Sequence, residues 1–200
     1  YASGWNVNIL TSTGVLNPSS VTVTVPTTVI SNPLPQVTFN TAIATPSPIL
    51  VGDGTSFTNG TFTGVYQVSD TSSMKAPLVG FNFVVSGFVQ GTGRIVWFKK
   101  VVDRDTSEVL FDGSGVFLGG AYAGGANGAF SVNTFVPLST PSSNFTVFEV
   151  FVLDIAGAPA PGFDTASLLL VEQDWVPEPA SMLALSAGLA GLAALRRRKK

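Results

Sequence analysis

Charged side chains are scarce in this sequence, and one short segment gathers many of them. The chain has 10 basic and 12 acidic residues among 200, with no histidine and no cysteine. Six of these charges fall within ten residues: Lys99, Lys100, Asp103, Arg104, Asp105 and Glu108. Asp103 and Asp105 would share one side of an extended chain, and Glu108 or loop carbonyls would complete an oxygen shell for Ca²⁺. The segment is therefore a candidate calcium site, with a solvated hairpin tip as the alternative.

Catalytic chemistry has few carriers in this sequence. The absence of histidine and cysteine removes the usual base at neutral pH, the thiol nucleophile and most zinc sites. A glycosidase needs two carboxylates in one cleft, and nothing in the sequence brings Asp103, Glu149 and Asp154 together. Residues 72–75 fit Ser-x-x-Lys, but Pro77 and a strand follow where that chemistry needs a helix. We therefore expect a protein that is not an enzyme.

Aromatic side chains suggest a second kind of site, one that stacks on sugar rings. Trp5 and Trp97 are the candidates for this role, because an indole ring combines a broad apolar face with a polar edge. Packing in the core or at a sheet edge is the alternative for each. An exposed row of Trp and Tyr on one sheet face would favour sugar binding, whereas buried rings would favour a structural role.

The chain that must position these residues has the composition of an all-β protein. It contains 21 Gly and 13 Pro, and its 15 Phe supply ample apolar surface to bury. Alternating apolar runs separated by Gly, Pro, Asn and Asp indicate strands, and no run before residue 180 has a sustained helical period. Residues 1–172 are predicted to form one antiparallel β-sandwich or jelly-roll-like domain.

The predicted strands recur about every ten residues from Phe57 onward. They are Thr61–Val68, Leu78–Val89, Arg94–Val102, Glu108–Phe111, Ala129–Val136, Asn144–Leu153 and Ser167–Glu172. The turn residues Gly91-Thr92-Gly93 predict a hairpin over Phe81–Val102. Within the Pro- and Thr-rich residues 1–50, the run Val21–Val25 favours an edge strand that stops at Pro26. We expect residues 1–50 to form outer strands, with a rigid lead-in as the alternative.

The last 24 residues differ in composition from the rest of the chain. Ala180–Leu195 holds no charge, and five cations follow it: Arg196, Arg197, Arg198, Lys199 and Lys200. The apolar run predicts one short C-terminal transmembrane helix, which the basic residues anchor on the cytoplasmic side. Residues 173–179 are then a linker that places Trp175 near the membrane interface. Since residues 1–176 carry 11 acids and 5 bases, the acidic domain is expected outside.

The order of features in this tail resembles a known sorting signal. Pro177, Glu178 and Pro179 come first, then the apolar helix and the basic cluster, and residues 177–200 together resemble the PEP-CTERM signal. The resemblance concerns the tail and does not extend to the fold. It implies export through the inner membrane of a Gram-negative-type bacterium, with transient anchoring there. Cleavage near the motif by an exosortase-type membrane peptidase would then leave the protein at the cell surface or outside the cell.

The expected function follows from this predicted localisation and from the missing catalytic groups. We expect an exported structural protein of the cell surface or extracellular matrix, because the resemblance links such tails with exopolysaccharide and biofilm matrix. A secreted carbohydrate-binding module associated with exopolysaccharide is the alternative. No cofactor is expected apart from Ca²⁺ at the acidic cluster. Nucleic acid is not an expected partner, because the basic run lacks interleaved aromatics and the rest of the chain is acidic.

The tail yields a first testable prediction. In a host that has the peptidase, the exported protein should end near Pro179, because cleavage at the motif removes the helix and the basic cluster. Intact-mass spectrometry of the exported protein locates that end. Glu178→Ala should leave the precursor in the membrane. Normal release of this variant, or exported chains that end at Lys200, would contradict the assignment.

Overall fold

Strands dominate the part of the chain that the structure, a computed structural model, describes: residues 4–71, 77–157 and 161–178. Twelve strands and one turn of 3-10 helix occur there. They are β1 Trp5–Asn17, β2 Val21–Thr24, β3 Thr27–Ile30, β4 Gln36–Phe39, η1 Thr41–Ile43, β5 Leu50–Gly52, β6 Asn59–Asp70, β7 Leu78–Gln90, β8 Arg94–Asp103, β9 Val109–Leu118, β10 Gly128–Ser142, β11 Asn144–Asp154 and β12 Thr165–Pro177.

The strands form two antiparallel sheets. Sheet A has the order β2-β1-β6-β11-β8-β9, and sheet B has the order β10-β7-β12-β4-β3, with β5 also paired to β12. The predicted all-β antiparallel fold is confirmed. The first 50 residues supply four complete strands, of which β2 and β3 lie at sheet edges. β1, which the sequence analysis did not predict, lies inside sheet A between β2 and β6.

The two sheets pack face to face through aromatic and branched aliphatic side chains. In β6, β7 and β11 every second residue is buried, which is the period that one-sided packing of a strand requires. Rings from opposite sheets meet in the core: the Phe39 and Phe62 centroids lie 5.3 Å apart, and those of Phe145 and Trp175 lie 4.3 Å apart. Each buried ring of this size stabilises the fold by about 1.5–3 kcal/mol.

The turn at Gly91-Thr92-Gly93 joins the two sheets, so the prediction of a hairpin over Phe81–Val102 is wrong. β7 pairs with β10 and β12, whereas β8 pairs with β9 and β11. The turn is held by Asp164, whose Oδ1 accepts bonds from the Thr92 amide at 2.6 Å and from the Thr92 hydroxyl at 2.7 Å. Both strands have an apolar face to bury, and the fold buries these faces against each other across the core.

β12 continues five residues beyond its predicted end at Glu172 and stops at Pro177. Residues 173–177, assigned to a linker by the sequence analysis, are therefore strand. Trp175 is 1% exposed and packs on Phe81 and Phe145. It lies in the core and not at a membrane interface, because a ring with two aromatic neighbours between the sheets is withdrawn from any surrounding phase.

The predicted transmembrane helix, residues 180–195, lies outside the described residues, as do Pro179 and the basic cluster 196–200. In the ranges that are described, no helix has the length and apolar character to cross a membrane.

A substitution at the corner between the sheets tests this topology. A Cβ added at Gly93 would lie 1.7 Å from the carbonyl oxygen of Thr165. Because a strand backbone blocks the site, Gly93→Ala should lower the free energy of unfolding by about 3 kcal/mol. Chemical denaturation followed by circular dichroism measures the change.

The matched control is Gly124→Ala, where no atom lies within 4 Å of the added Cβ. Only the φ angle of +78°, which side chains other than glycine rarely adopt, opposes this substitution. The free energy of unfolding of this variant should fall by about 1 kcal/mol. Equal stability of the Gly93 variant and the wild type would contradict the close approach of the turn to β12.

Candidate functional site

The C-terminal strand runs from the centre of the sandwich directly into the Pro-Glu-Pro segment. In the register of β12 and β7, Val176 pairs with Gly80 and Pro177 with Leu78. The backbone amide of Glu178 donates a hydrogen bond of 3.2 Å to the carbonyl of Pro77. Two residues of the motif, Pro177 and Glu178, therefore follow the folded core without a spacer.

A polar cluster lies at the centre of the core, and we call Lys99, Glu149, Gln173 and Tyr66 the core polar cluster. Lys99 Nζ lies 2.7 Å from Glu149 Oε2, and Gln173 Nε2 donates to the same oxygen at 3.0 Å. The Tyr66 hydroxyl donates to Gln173 Oε1 at 2.9 Å. All four side chains are at most 2% exposed, so this chain of contacts is sealed from water.

Three strands of sheet A and one of sheet B bring the cluster together. Lys99 on β8 and Glu149 on β11 are direct cross-strand partners, and Gln173 reaches them from β12 in the opposite sheet. The rings of Phe81 and Phe83 lie 5.0 and 4.6 Å from Lys99 Nζ. Aromatic faces attract a cation, and they also exclude water from the amine.

Burial is the largest influence on the acid and base of the cluster. It lowers the pKa of the Lys99 amine and raises the pKa of the Glu149 carboxyl, and the attraction between the two groups opposes both changes. Burial also raises the pKa of Tyr66 well above its usual value, with the charge of Glu149 adding to the effect. Burial thus disfavours the charged form of each group, while their mutual attraction favours it.

The second carboxyl oxygen of Glu149 has a different environment. Glu149 Oε1 is buried and has no hydrogen-bond partner among the described residues. It packs against Gly64 of β6, where an added Cβ would come within 2.9 Å of it. The donors of the cluster therefore converge on Oε2 alone.

The outer surface of sheet A carries a group of apolar side chains on β11, β8 and β9, with Lys100, Asp112 and Ser114 in the same rows. We call Val96, Phe98, Val116, Phe148, Val150 and Val152 the apolar face. Phe98 is paired with Val150, and Val96 with both Val152 and Val116, so these side chains share one side of the sheet. Phe98 is 51% exposed, Phe148 44% and Val116 48%. These three side chains are the most exposed of the group.

The outer surface of sheet B is polar by contrast. Glu172 and Asp174 alternate along β12, where Glu172 Oε2 accepts from Thr38 at 2.8 Å and Asp174 Oδ1 from Gln36 at 2.6 Å. The register places Asn82 beside Asp174, and Asn133 lies next to Val84 in the following row. We call Gln36, Thr38, Asn82, Asn133, Glu172 and Asp174 the polar face.

The structure places the predicted calcium residues in the turn between β8 and β9. Asp103 Oδ1 accepts from the amides of Asp105 at 2.9 Å and Thr106 at 2.8 Å, and its Oδ2 accepts from Ser142 at 2.6 Å. Asp105 accepts from Asn144, and Glu108 from Thr140. Within the described ranges, no three His, Cys, Asp or Glu side chains are grouped to hold a metal ion. Calcium binding stays a prediction.

The candidate sugar-stacking residues lie on the inner side of sheet A. Trp5 and Trp97 both pack against the core, and the Trp97 ring centroid lies 5.1 Å from that of Phe83. Every Trp and Tyr in the described part of the chain is buried or half-buried. Sugar stacking at Trp5 and Trp97 stays a prediction.

Sequence reasoning missed most of the core polar cluster. Glu149 appeared only as one of three acids beside strands, and of the other two Asp103 holds a turn and Asp154 pairs with Arg94 at 2.6 Å. Lys99 was grouped with its charged neighbours, although it lies two residues from Trp97 and Val101 on an alternating strand. A lone charge in phase with buried apolar residues is the signal that would have identified it.

The C-terminal segment defines the class of protein, an exported protein with a C-terminal sorting signal. Residues 176–199 match the PEP-CTERM protein-sorting motif, so the resemblance drawn from Pro177, Glu178 and Pro179 is confirmed. This motif implies an exported exosortase substrate that is sorted at the membrane, as in Gram-negative bacteria.

The solved structures with a similar fold include two distant ones. The CBM36-1 domain of a multidomain xylanase from the hindgut metagenome of Trinervitermes trinervoides is 10% identical, with 84% of this chain and 95% of that chain covered and a TM-score of 0.27. The family 11 carbohydrate-binding module of Clostridium thermocellum, in complex with a β-1,3-1,4-mixed-linked tetrasaccharide, is 9% identical, with 88% and 91% covered and a TM-score of 0.27. Such low scores support no conclusion about this chain. No curated protein matches the sequence.

The β8–β9 turn generates a prediction about acid stability. Partial burial alone would raise the pKa of Asp103, but hydrogen bonds from Ser142, Thr106 and Asp105 outweigh it and lower the pKa below the ordinary 3.8. The stabilisation is therefore complete above pH 3.8 and is lost as the pH falls through the lower, folded-state value. Asp103→Asn should lower the free energy of unfolding by about 1 kcal/mol at neutral pH. It should also flatten the acid limb, that is, the fall in the free energy of unfolding toward low pH that denaturation curves measure.

Asp112→Asn is the matched control, because Asp112 is exposed and pairs only loosely with Lys100 at 3.9 Å. It should leave the stability and the acid limb nearly unchanged. An acid limb in the Asp103 variant as steep as that of the wild type would show that the turn does not depend on this carboxylate.

Proposed function

We propose that this chain is a non-catalytic structural protein of the cell surface or extracellular matrix, delivered there by its PEP-CTERM tail. The sorting signal supports delivery. The folded domain supports a passive role, because every Trp and Tyr in its described part is buried or half-buried. Such a protein acts through the surfaces that it presents and needs no substrate.

The observation that carries this proposal is the apolar face. Once the peptidase has removed the tail, the membrane no longer holds the protein, so the folded domain needs a contact of its own to stay in place. The exposed Phe98 and Phe148 provide apolar area for such a contact. Their burial against another component would stabilise it by roughly 25 cal/mol for each Å² withdrawn from water.

Carbohydrate binding by the polar face is the second candidate. Amide, hydroxyl and carboxylate side chains stand in two rows across sheet B, and these are the groups that hydrogen-bond sugar hydroxyls. Phe135, 50% exposed, ends one row beside Asn82 and adds an aromatic surface. A polysaccharide of the matrix would then be the ligand of the same exported domain.

Retention of the protein after export tests the first proposal. In a host with the peptidase, Phe98→Ser with Phe148→Ser should release the processed protein from the surface and matrix fraction into the medium, several-fold more than the wild type. Phe163→Ser is the matched control, since Phe163 is 71% exposed and lies in the turn before β12. The control should be retained as the wild type is.

Quantitative immunoblots of the fractions measure retention, and circular dichroism of each variant confirms the sandwich. Equal retention of the double variant and the control would contradict a role for the apolar face. Saturable binding of purified protein to a glycan array, lost in Asn82→Ala with Asn133→Ala, would establish the carbohydrate-binding candidate instead.

A further inference from the structure

The geometry points to a covalent bond that this chain forms within itself: an isopeptide crosslink between the Nζ atom of Lys99 and the side-chain carbonyl carbon of Gln173, with Glu149 as the acid–base group. This inference concerns the core polar cluster and does not depend on the proposed function. It rests on three hydrogen bonds, which join Lys99 to Glu149, Gln173 to Glu149 and Tyr66 to Gln173, and on two aromatic rings next to the Lys99 amine.

The nucleophile and the leaving group share one carboxyl oxygen. Lys99 Nζ and Gln173 Nε2 lie 2.7 and 3.0 Å from Glu149 Oε2. One carboxyl group can therefore accept a proton from the amine and return a proton to the departing amide nitrogen, which is the task of a general acid–base catalyst. Because both groups belong to one chain and contact the same oxygen, the reaction would be intramolecular.

The electrophile is activated from its other side. The Tyr66 hydroxyl donates to Gln173 Oε1 at 2.9 Å, and this oxygen gains negative charge when the amine attacks. A preorganised donor at that atom stabilises the developing oxyanion. Because Tyr66 is fully buried, its hydroxyl has no competing water and stays directed at the amide.

The core supplies a reactive amine. A protonated lysine is not a nucleophile, and the surroundings of Lys99 oppose protonation because burial lowers its pKa. The same burial raises the pKa of Glu149, so burial disfavours the charged forms of both groups. Phe81 and Phe83 cover the amine and keep out the water that would otherwise compete for the acyl carbon.

The step balances without any further reactant. The lone pair of Lys99 Nζ forms a bond to the Gln173 side-chain carbon, and the carbonyl electrons move to the oxygen that Tyr66 holds. Glu149 takes a proton from the new ammonium group and delivers a proton to the amide nitrogen. The carbon–nitrogen bond of the glutamine side chain then breaks, ammonia leaves, and a secondary amide remains between the two residues.

The carboxyl of Glu149 is the competing acceptor, since Lys99 could condense with it and release water. The contacts favour Gln173 instead. Glu149 Oε1, where the oxyanion would form, has no donor among the described residues, whereas Gln173 Oε1 has Tyr66. The two outcomes differ in the molecule that is lost, so mass spectrometry distinguishes them.

The crosslink would join sheet A to sheet B through the strand that carries the sorting motif. Lys99 lies on β8 and Gln173 on β12, four residues before Pro177. A chain without cysteine cannot form a disulfide, and an amide bond is not opened by reductants. It would hold β12 in the core by a covalent bond in addition to its ladders.

Intact-mass spectrometry of the full 200-residue chain, purified and denatured, tests the inference directly. The expected mass is that of the sequence less one ammonia molecule. Trypsin should then yield residues 95–100, uncut after Lys99, joined to residues 105–196, which contain both Glu149 and Gln173. Further cleavage after Glu149 and Glu172 should leave the link on the fragment that begins at Gln173. The unchanged sequence mass, a loss of water with a link to Glu149, or a loss of ammonia mapped elsewhere would each overturn the inference.

Variants assign the roles. Lys99→Met keeps the shape of the buried side chain without the amine and should abolish the mass loss, as should Glu149→Gln, which keeps hydrogen bonds but cannot relay a proton. Lys100→Met, one residue along β8 with its side chain 46% exposed, is the matched control and should keep the crosslink. Retention of the loss in Lys99→Met, or its absence in Lys100→Met with an intact fold, would contradict the assignment.

Discussion

The contact between Lys99 and Glu149 constrains the rest of this structure. An amine and a carboxyl group withdrawn from water are tolerated only together, since either one alone would leave an uncompensated buried group at a cost of about 3–5 kcal/mol. Their pairing fixes the register of β8 against β11, because a slip of one residue would turn one of them outward. Gln173 and Tyr66 extend the same requirement to sheet B and to β6, so four strands must be in place before the hydrogen bonds of the cluster can form.

The space around this contact is shaped by small and large residues in alternation. On β6, Gly64 leaves room for the side chain of Glu149 from β11. Phe81 and Phe83 cover the Lys99 amine on the side that faces sheet B. The positions of the strands are thus defined most closely around the core polar cluster. The apolar face and the polar face lie outside this core on opposite sheets, so changes on either surface can be made without disturbing the register within.

Much of this fold could be predicted from alternation, and the errors have physical causes. Strands such as β6 and β11 are buried on one face only, so their period of two is visible in the sequence. β1 was missed because a bulge after Ile9 shifts its alternation, so that the apolar Leu10 and Val15 lie on the exposed side. The corner at Gly91-Thr92-Gly93 resembles a hairpin turn, because a glycine turn is equally suited to reversing a chain within a sheet and to crossing between sheets. The role of Lys99 depends on Gln173, which is 74 residues away in the sequence. A pattern of neighbouring residues cannot reveal a contact between residues so far apart.

The central position of β12 has a mechanical consequence. The tail leaves the domain at the end of β12, which lies between β7 and β4, so a pull on the tail acts along the strand axis. Under such a load the ladder bonds on both sides are strained together in shear, and they cannot be opened one at a time as they would be in a strand pulled sideways from an edge. A domain built in this way transmits tension into its core before it yields, for as long as the uncleaved tail still holds it at the membrane.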